Sequence, residues 1–224
     1  MSSKRELSFA FKVATTVCCL TGVLSNLLRT TSIASILSFY TMQSNIFVLV
    51  FYIGYFISRA IKPDVEKTNA YHILKGATVM IIMLTFIVYT VSLQPNDFFM
   101  DVKTSSSNIF RFSNIFVHFL TPIMVFLDYA LFDEKGYYKK CYAFFWIIFP
   151  ALYPIYVYTY SHFGGRFFSV GGSKKYAYFF LDIDKIGIIG VLSYMLIFIA
   201  CYLAISLLVI KVDKGLGRRK NEKK

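Results

Sequence analysis

The stretch IGIIGVLSYMLIFIACYLAISLLVI, residues 186–210, is 25 residues long and contains no charged side chain. A helix needs roughly 20 predominantly apolar residues to cross the hydrocarbon core of a bilayer. A helix this apolar on every side has no face suited to water. The stretch therefore predicts a membrane-spanning helix near the end of the chain.

Five further apolar runs precede this stretch, separated by short polar segments. They cover residues 8–28, 33–57, 73–93, 109–132 and 141–160. The first run is longer than the apolar region of a signal peptide and lacks a following A-x-A-like site, so we expect an uncleaved helix. The pattern predicts an all-α polytopic membrane protein of six transmembrane helices, with one domain over 1–212 and a disordered, basic cytoplasmic tail over 213–224.

The composition excludes an ordinary soluble domain. Of the 224 residues, 57% are hydrophobic and 16% are charged, whereas soluble domains average about 25% charged residues. The formal net charge of +12 would suggest nucleic acid if the basic residues formed one face. Here they lie at helix ends and in the tail, where they orient the chain and meet lipid headgroups. We therefore predict membrane lipids as partners and no nucleic acid.

The distribution of Lys and Arg predicts the orientation of the helices. Of 24 such residues, 17 fall on the side of the N-terminus and 7 on the opposite side. Positive residues accumulate in cytoplasmic loops. The bias predicts that both termini are cytoplasmic.

Polar residues inside membrane helices are costly and invite a functional explanation. The second helix contains SFYTMQSN, residues 38–45, and the fourth contains NIFVHFLTP, residues 114–122. With the N-terminus inside, both helices descend from the outer surface. At 1.5 Å per residue, Thr41 and His118 both lie roughly 12–14 Å below that surface. The two side chains can therefore meet if their faces turn toward each other.

Each of these residues also has a plain structural interpretation. A threonine in a membrane helix usually bonds to its own backbone, although an intramembrane histidine is harder to explain without a function. Pro122 deprives the His118 carbonyl of its helical partner and predicts a bend. We interpret Asp128 as a structural residue that caps a helix or pairs with a lysine. Asp182 more often caps or solvates a helix end than orients a partner.

The fifth helix and the loop after it carry backbone signals. Pro150 and Pro154 free the carbonyls of Trp146 and Pro150, which predicts a bent helix. The glycine-rich segment 161–175 favours a flexible loop, with a lid over an outer cavity as the alternative. No histidine or cysteine has metal-ligand spacing, so we predict no metal site.

The residues FYTMQSN, the set His118, Pro122 and Asp128, and the string YFFLD before the last helix resemble the androgen-induced-gene family. The resemblance extends over nearly the whole chain as six helices in the same order. Because the family includes many bacterial six-helix relatives, the resemblance also implies an integral protein of a bacterial cell membrane. It implies transmembrane threonine hydrolases that cleave fatty acid esters of hydroxy fatty acids. Thr41 then matches the nucleophile of that family, and His118 matches its histidine.

The chemistry of these residue types agrees with a hydrolase. A neutral imidazole can take the threonine proton near pH 7 and so activate a weak nucleophile. Asn45, Gln43 or Asn114 could donate an N–H to the oxyanion, and the reaction needs no cofactor. The leading hypothesis is hydrolysis of a fatty acyl ester within the membrane. The alternatives are a lipid acyltransferase that uses the same dyad of Thr41 and His118, and a non-catalytic transporter or scaffold.

Overall fold

The structure, a computed structural model, describes residues 2–93, 112–169 and 172–221. Within these ranges, six helices are long and apolar enough to cross a membrane, and the only sheet is one short hairpin. This confirms the predicted all-α class. The predicted loop at 94–107 and the predicted start of the fourth helix at 109 lie outside the described residues.

The helices follow the six predicted runs with local changes. Short 3₁₀ turns occur at Val65–Lys67 and Phe179–Leu181, and π-helical turns occur at Tyr89–Leu93 and Phe116–Leu120. The α-helices are α1 Ser2–Arg29, α2 Ile33–Ser38, α3 Tyr40–Ile61, α4 Asn69–Val88, α5 Phe112–Ile115, α6 Thr121–Phe132, α7 Tyr142–Trp146, α8 Ile148–His162 and α9 Ile183–Asn221.

The chain forms two compact units. Unit 1 comprises Met1–Arg29 and Thr41–Asp133, and unit 2 comprises Thr30–Tyr40 and Glu134–Lys224. In unit 1, α6 packs against both α1 and α4, and the π-helical turn at Phe116–Leu120 packs against α1. Both predicted candidates for the dyad belong to this unit. The predicted single domain over 1–212 stays a prediction.

The second predicted helix, 33–57, is divided at Phe39, which is a correction. Phe39 adopts an extended conformation with a ψ of 141°, so the α-helix ends at Ser38 and restarts at Tyr40. The hydroxyl of Tyr153 stabilises the break, since it accepts from the Tyr40 N–H at 3.1 Å and donates to the Ser38 carbonyl at 3.1 Å. A side chain from a distant helix thus satisfies the groups that the break exposes.

The fifth predicted helix is also interrupted, here at Ile147 between α7 and α8. Pro150 has no N–H to give to the Trp146 carbonyl. The hydroxyl of Tyr202 supplies the missing donor at 2.9 Å. The bend predicted from the two prolines is therefore a short break, closed by a tyrosine of α9.

The segment predicted as a flexible glycine-rich loop contains a β-hairpin instead. Strand β1, Phe167–Ser169, pairs antiparallel with β2, Gly172–Lys174, and the connecting residues 170–171 lie outside the description. Phe167 is buried against the ring of Tyr160, and the Phe168 N–H donates to the Ser35 hydroxyl at 2.8 Å. Packing and this hydrogen bond hold the hairpin against its neighbours.

The last helix, α9, differs from the prediction at both ends. Gly187 has a φ of 66°, a left-handed conformation that glycine adopts without cost, and it kinks the start of the helix. The helix then continues to Asn221. The tail predicted to be disordered is therefore helical over most of its length, because it remains packed through residues such as the buried Asp213.

Candidate functional site

Thr41 and His118 are hydrogen-bonded in unit 1. The Thr41 Oγ1 lies 3.2 Å from the His118 Nε2. Thr41 is the first residue of unit 1 on α3, and His118 lies in the π-helical turn that precedes α6. The histidine is buried and the threonine is half-buried. The Thr41 hydroxyl therefore has a base within hydrogen-bond reach, on a side chain that is not fully buried.

The other ring nitrogen of His118 fixes its tautomer. The Nδ1 lies 3.2 Å from the backbone carbonyl of Asn114. A carbonyl oxygen only accepts, so the Nδ1 carries the hydrogen and donates it. In the neutral ring the Nε2 then has a free lone pair, which accepts the hydroxyl hydrogen of Thr41. The arrangement resembles a triad whose third member is a backbone carbonyl rather than a carboxylate.

The π-helical turn at Phe116–Leu120 gives His118 its position. Pro122 cannot donate to the His118 carbonyl, and the Thr121 N–H instead reaches back five residues to Phe116. Such π-helical turns are frequent at functional sites. Gly22 of α1 lies directly against this turn, where an added Cβ would come within 2.7 Å of the Phe116 Cβ. Glycine is thus required for this close approach.

Tyr89 provides a second constraint on the histidine ring. The two rings stack with centroids 3.8 Å apart and an interplanar angle of 20°. Tyr89 begins the other π-helical turn, at the end of α4. One face of the imidazole is therefore covered by an aromatic ring, which restricts its rotation. Nothing in the sequence alone singled out Tyr89, since tyrosines in membrane proteins commonly form interfacial belts.

Asn45 links the helix of Thr41 to the turn of His118. Its Nδ2 donates to the Thr41 carbonyl at 2.8 Å and to the Val117 carbonyl at 3.1 Å. Ser44 adds a further link, since its hydroxyl donates to the Thr41 carbonyl and lies 2.8 Å from the Thr85 Oγ1. Because both amide hydrogens of Asn45 point at carbonyls, the side chain holds the pair together and has no free N–H for an oxyanion.

The remaining predicted residues occupy different places. Gln43 and Asn114 are half-buried, and their side chains form no hydrogen bond with the described part of the chain. Gln43 is two residues from Thr41 and therefore points from another face of α3, whereas Asn114 is one turn from His118. Asp182 belongs to unit 2, where its carboxylate lies 3.6 Å from Lys185. Asn114 is thus the better placed amide donor.

Asp128 lies in a buried ion cluster that joins four helices of unit 1. Its carboxylate pairs with Lys12 of α1 at 2.8 Å and with Lys75 of α4. The hydroxyl of Tyr52 donates to the same carboxylate at 2.8 Å. All four side chains are fully buried. Opposite charges and the hydrogen bonds among these side chains offset part of the desolvation cost of such a cluster.

Asp133, one residue beyond α6, balances the charge of this cluster. It lies 3.7 Å from the ammonium groups of both Lys12 and Lys75 and accepts from Tyr71 at 2.9 Å. Two lysines thus face two aspartates. Burial raises the pKa of the Asp133 carboxyl, and its Oδ2 has no hydrogen-bond partner among the described residues.

The sequence did not indicate the roles of Lys12 and Lys75. Both were counted with the cytoplasmic loop charges, whereas both are buried within candidate membrane spans. Without these two lysines, the predicted side of the termini has 15 rather than 17 lysines and arginines, against 7 on the opposite side. The available signal was local: each lysine interrupts an apolar run, FAFKVAT at 9–15 and ILKGATV at 73–79. A lysine in such a run needs an acidic partner.

The described residues bring no three His, Cys, Asp or Glu side chains together as a metal site. No protein-family model, no curated protein and no solved structure matches the chain. The candidate site is therefore defined by its own geometry, with Thr41 and His118 at its centre.

Proposed function

We propose that this chain is an intramembrane hydrolase of fatty acyl esters, with Thr41 as nucleophile and His118 as general base. The hydrogen bond of 3.2 Å between the Thr41 Oγ1 and the His118 Nε2 carries the proposal. The carbonyl of Asn114 supports it by fixing the tautomer in which the Nε2 accepts a proton. A hydroxyl beside a base within hydrogen-bond reach is the usual arrangement of an activated nucleophile.

The reaction proceeds in two halves. In the first, the Nε2 takes the Thr41 proton while the Oγ1 bonds to the ester carbon, and the carbonyl electrons move to oxygen. The tetrahedral intermediate then expels the alcohol, which receives the proton from His118 and leaves an acyl-threonine. In the second half, water attacks the acyl carbon and gives one proton to His118. The second tetrahedral intermediate then breaks its bond to the Thr41 Oγ1, which takes that proton back from His118, and the fatty acid leaves.

The developing oxyanion needs donors close to the reacting carbon. Asn114 is the side-chain candidate, because its amide forms no other hydrogen bond with the described residues and it lies one turn from His118. The acyl chain requires an apolar surrounding, which the candidate membrane spans supply. Fatty acid esters of hydroxy fatty acids are the substrates that the resemblance favours.

The proposed setting is a membrane with both termini in the cytoplasm. Six long apolar helices among the described residues support insertion, and 15 basic residues on the side of the termini against 7 opposite support this orientation. The pair of Thr41 and His118 then lies in the outer half of the bilayer. A bacterial cell membrane stays a prediction.

The decisive experiment uses the purified full-length protein in detergent or vesicles. It measures labelling by an active-site fluorophosphonate and hydrolysis of fatty acyl esters, including esters of hydroxy fatty acids. Thr41→Ala and His118→Ala test the pair. Matched controls are Thr21→Ala, whose hydroxyl bonds to its own helix at Val17, and His162→Ala, an exposed histidine.

We expect Thr41→Ala and His118→Ala to lower turnover by about 1,000-fold or more, the usual effect of removing a nucleophile or its base. The two controls should retain wild-type turnover. Equal behaviour of wild type and both site variants would reject the enzyme and favour a transporter or scaffold. Labelling at Thr41 with acyl transfer to a lipid alcohol, but no release of fatty acid, would replace hydrolysis by acyl transfer.

A further inference from the structure

The end of α9 carries basic and apolar side chains on neighbouring stripes. Lys211, Lys214 and Arg218 are exposed and follow one another at spacings of three and four residues, so they share one side of the helix. Exposed apolar residues continue beside them at spacings of four: Leu208, Val212 and Leu216. This amphipathic pattern is typical of helices that lie at a membrane surface.

The length of α9 places these side chains at that surface. The candidate span Ile183–Arg218 has 36 residues, whereas roughly 20 suffice to cross the hydrocarbon core. The kink at Gly187 marks the start of the regular helix. About 20 residues from there reach Leu208, and the first lysine follows three residues later. The basic stripe thus coincides with the level of the phosphate groups.

A loop of unit 2 is fixed against this helix end. The carboxylate of Asp213 accepts from the N–H groups of Gly136 at 2.9 Å and Tyr138 at 3.0 Å. Gly217 lies so close to this loop that an added Cβ would approach the Gly136 Cα to 2.7 Å. The loop and the helix end are therefore held together by two independent contacts.

The fixed loop adds charge of the same sign. Lys139 and Lys140 follow directly after Tyr138 and are exposed. Asp213 is buried and engaged with the loop amides, so its carboxylate does not face the exposed lysines as a free anion. We define the basic patch by its five exposed residues: Lys139, Lys140, Lys211, Lys214 and Arg218.

We propose that the basic patch binds the phosphate headgroups of anionic phospholipids. Clustered lysines and arginines next to a membrane helix attract the negatively charged headgroups of anionic lipids. Leu208, exposed about one turn before the first lysine of the stripe, favours a lipid over a soluble anion, because it offers the acyl chains an apolar surface beside the charges. The site is separate from Thr41 and His118 and does not depend on ester hydrolysis.

The test uses purified full-length protein, titrated with phosphatidylglycerol or phosphatidylcholine and examined by native mass spectrometry. The patch variant is Lys211→Gln, Lys214→Gln and Arg218→Gln combined. Its matched control, with the same loss of charge, combines Lys4→Gln, Lys62→Gln and Lys67→Gln, three exposed lysines of unit 1. Gly217→Ala keeps all charges but forces the loop away from the helix.

The wild type should retain phosphatidylglycerol in preference to phosphatidylcholine. We expect the patch variant to bind phosphatidylglycerol about 100-fold more weakly, as the sum of three surface charges. The control should bind like the wild type, and Gly217→Ala should show a smaller loss. Equal retention of the two lipids by the wild type, or an equal loss in the control, would overturn the proposal. Displacement of the lipid by excess inorganic phosphate would overturn it in favour of a soluble anion.

Discussion

The Nδ2 of Asn45 lies 3.1 Å from the carbonyl oxygen of Val117, and this hydrogen bond joins the helix of the proposed nucleophile to the turn of the proposed base. The same nitrogen also holds the Thr41 carbonyl at 2.8 Å. One buried amide thus spans the two segments, one residue away from His118 on the second. This contact therefore helps to set the distance between Thr41 and His118.

Replacing Asn45 should therefore lower activity without removing a reacting group. In Asn45→Leu the buried Val117 carbonyl loses its donor, which typically costs about 1–3 kcal/mol in the free energy of unfolding. We expect turnover to fall about 10- to 100-fold as Thr41 and His118 separate. Ester turnover and thermal unfolding measure the two effects. Asn26→Leu is the control, because among the described residues the Asn26 side chain bonds to its own helix, at the Gly22 carbonyl. A similar loss of turnover in this control would contradict the role assigned to Asn45.

Gly22 should be intolerant of even one added methyl group. In Gly22→Ala the new Cβ would come within 2.7 Å of the Phe116 Cβ and 2.9 Å of the Val117 Cγ1, so the π-helical turn must shift. Overpacking of this kind typically costs about 1–3 kcal/mol. The shift also moves His118, and we expect a parallel loss of turnover. Thermal unfolding and ester turnover of the variant report both changes.

Gly54→Ala is the matched control for this substitution. A Cβ at Gly54 of α3 meets no atom within 4 Å. Alanine favours the helix over glycine by about 1 kcal/mol, so this variant should be at least as stable as the wild type. If Gly22→Ala and Gly54→Ala unfolded at the same temperature, the close packing of α1 against the turn would be refuted.

Asp128 should be far more important for stability than an exposed aspartate. Asp128→Asn leaves Lys12 and Lys75 buried with only Asp133 as counter-charge, and breaking a buried ion pair in this way typically costs about 3–5 kcal/mol. Thermal unfolding in detergent measures the loss. Asp64→Asn is the control, because Asp64 and Lys67 form an exposed pair at 3.3 Å that should contribute little.

A compensating variant separates charge balance from a general loss of packing. Lys12→Met combined with Asp128→Asn restores the neutrality of the cluster, because one lysine then faces Asp133. We expect this double variant to be more stable than Asp128→Asn alone, since no unpaired ammonium remains buried. Additive losses from the two substitutions would show that charge pairing is not what the cluster contributes.

The six helical runs were predictable because each contains enough consecutive apolar residues to cross a bilayer, a property of local sequence. Residue counts from the starts of the second and fourth predicted helices likewise predicted the same depth for Thr41 and His118. The break at Phe39 was not predictable, since neither glycine nor proline marks it and its partner, Tyr153, is more than 100 residues away. Local sequence does not encode such a distant donor.

The burial of the two lysines Lys12 and Lys75 was not predictable for the same reason. Lys12 and Lys75 were interpreted as loop charges because each lies within about one turn of the start of its predicted apolar run, 8–28 or 73–93. Their burial depends on Asp128 of α6 and on Asp133 just after it, which are more than 50 residues away in the sequence, so only tertiary packing reveals the cluster. Tyr89 was missed in a similar way, as its stacking on His118 joins residues that lie far apart in the sequence.

Tyr202 should be needed to close the break between α7 and α8. Its hydroxyl gives the Trp146 carbonyl the donor that Pro150 cannot provide. Tyr202→Phe retains the ring and removes only this hydrogen bond, leaving a buried carbonyl unsatisfied at a cost of about 1–3 kcal/mol. Trp146 is the only tryptophan of the chain, so its fluorescence reports this position directly. We expect a red-shifted emission and a lower unfolding temperature in Tyr202→Phe.

Tyr194→Phe, at an exposed position on the same helix, is the control. Unchanged emission and stability in Tyr202→Phe would mean that the break is stable without the tyrosine hydroxyl.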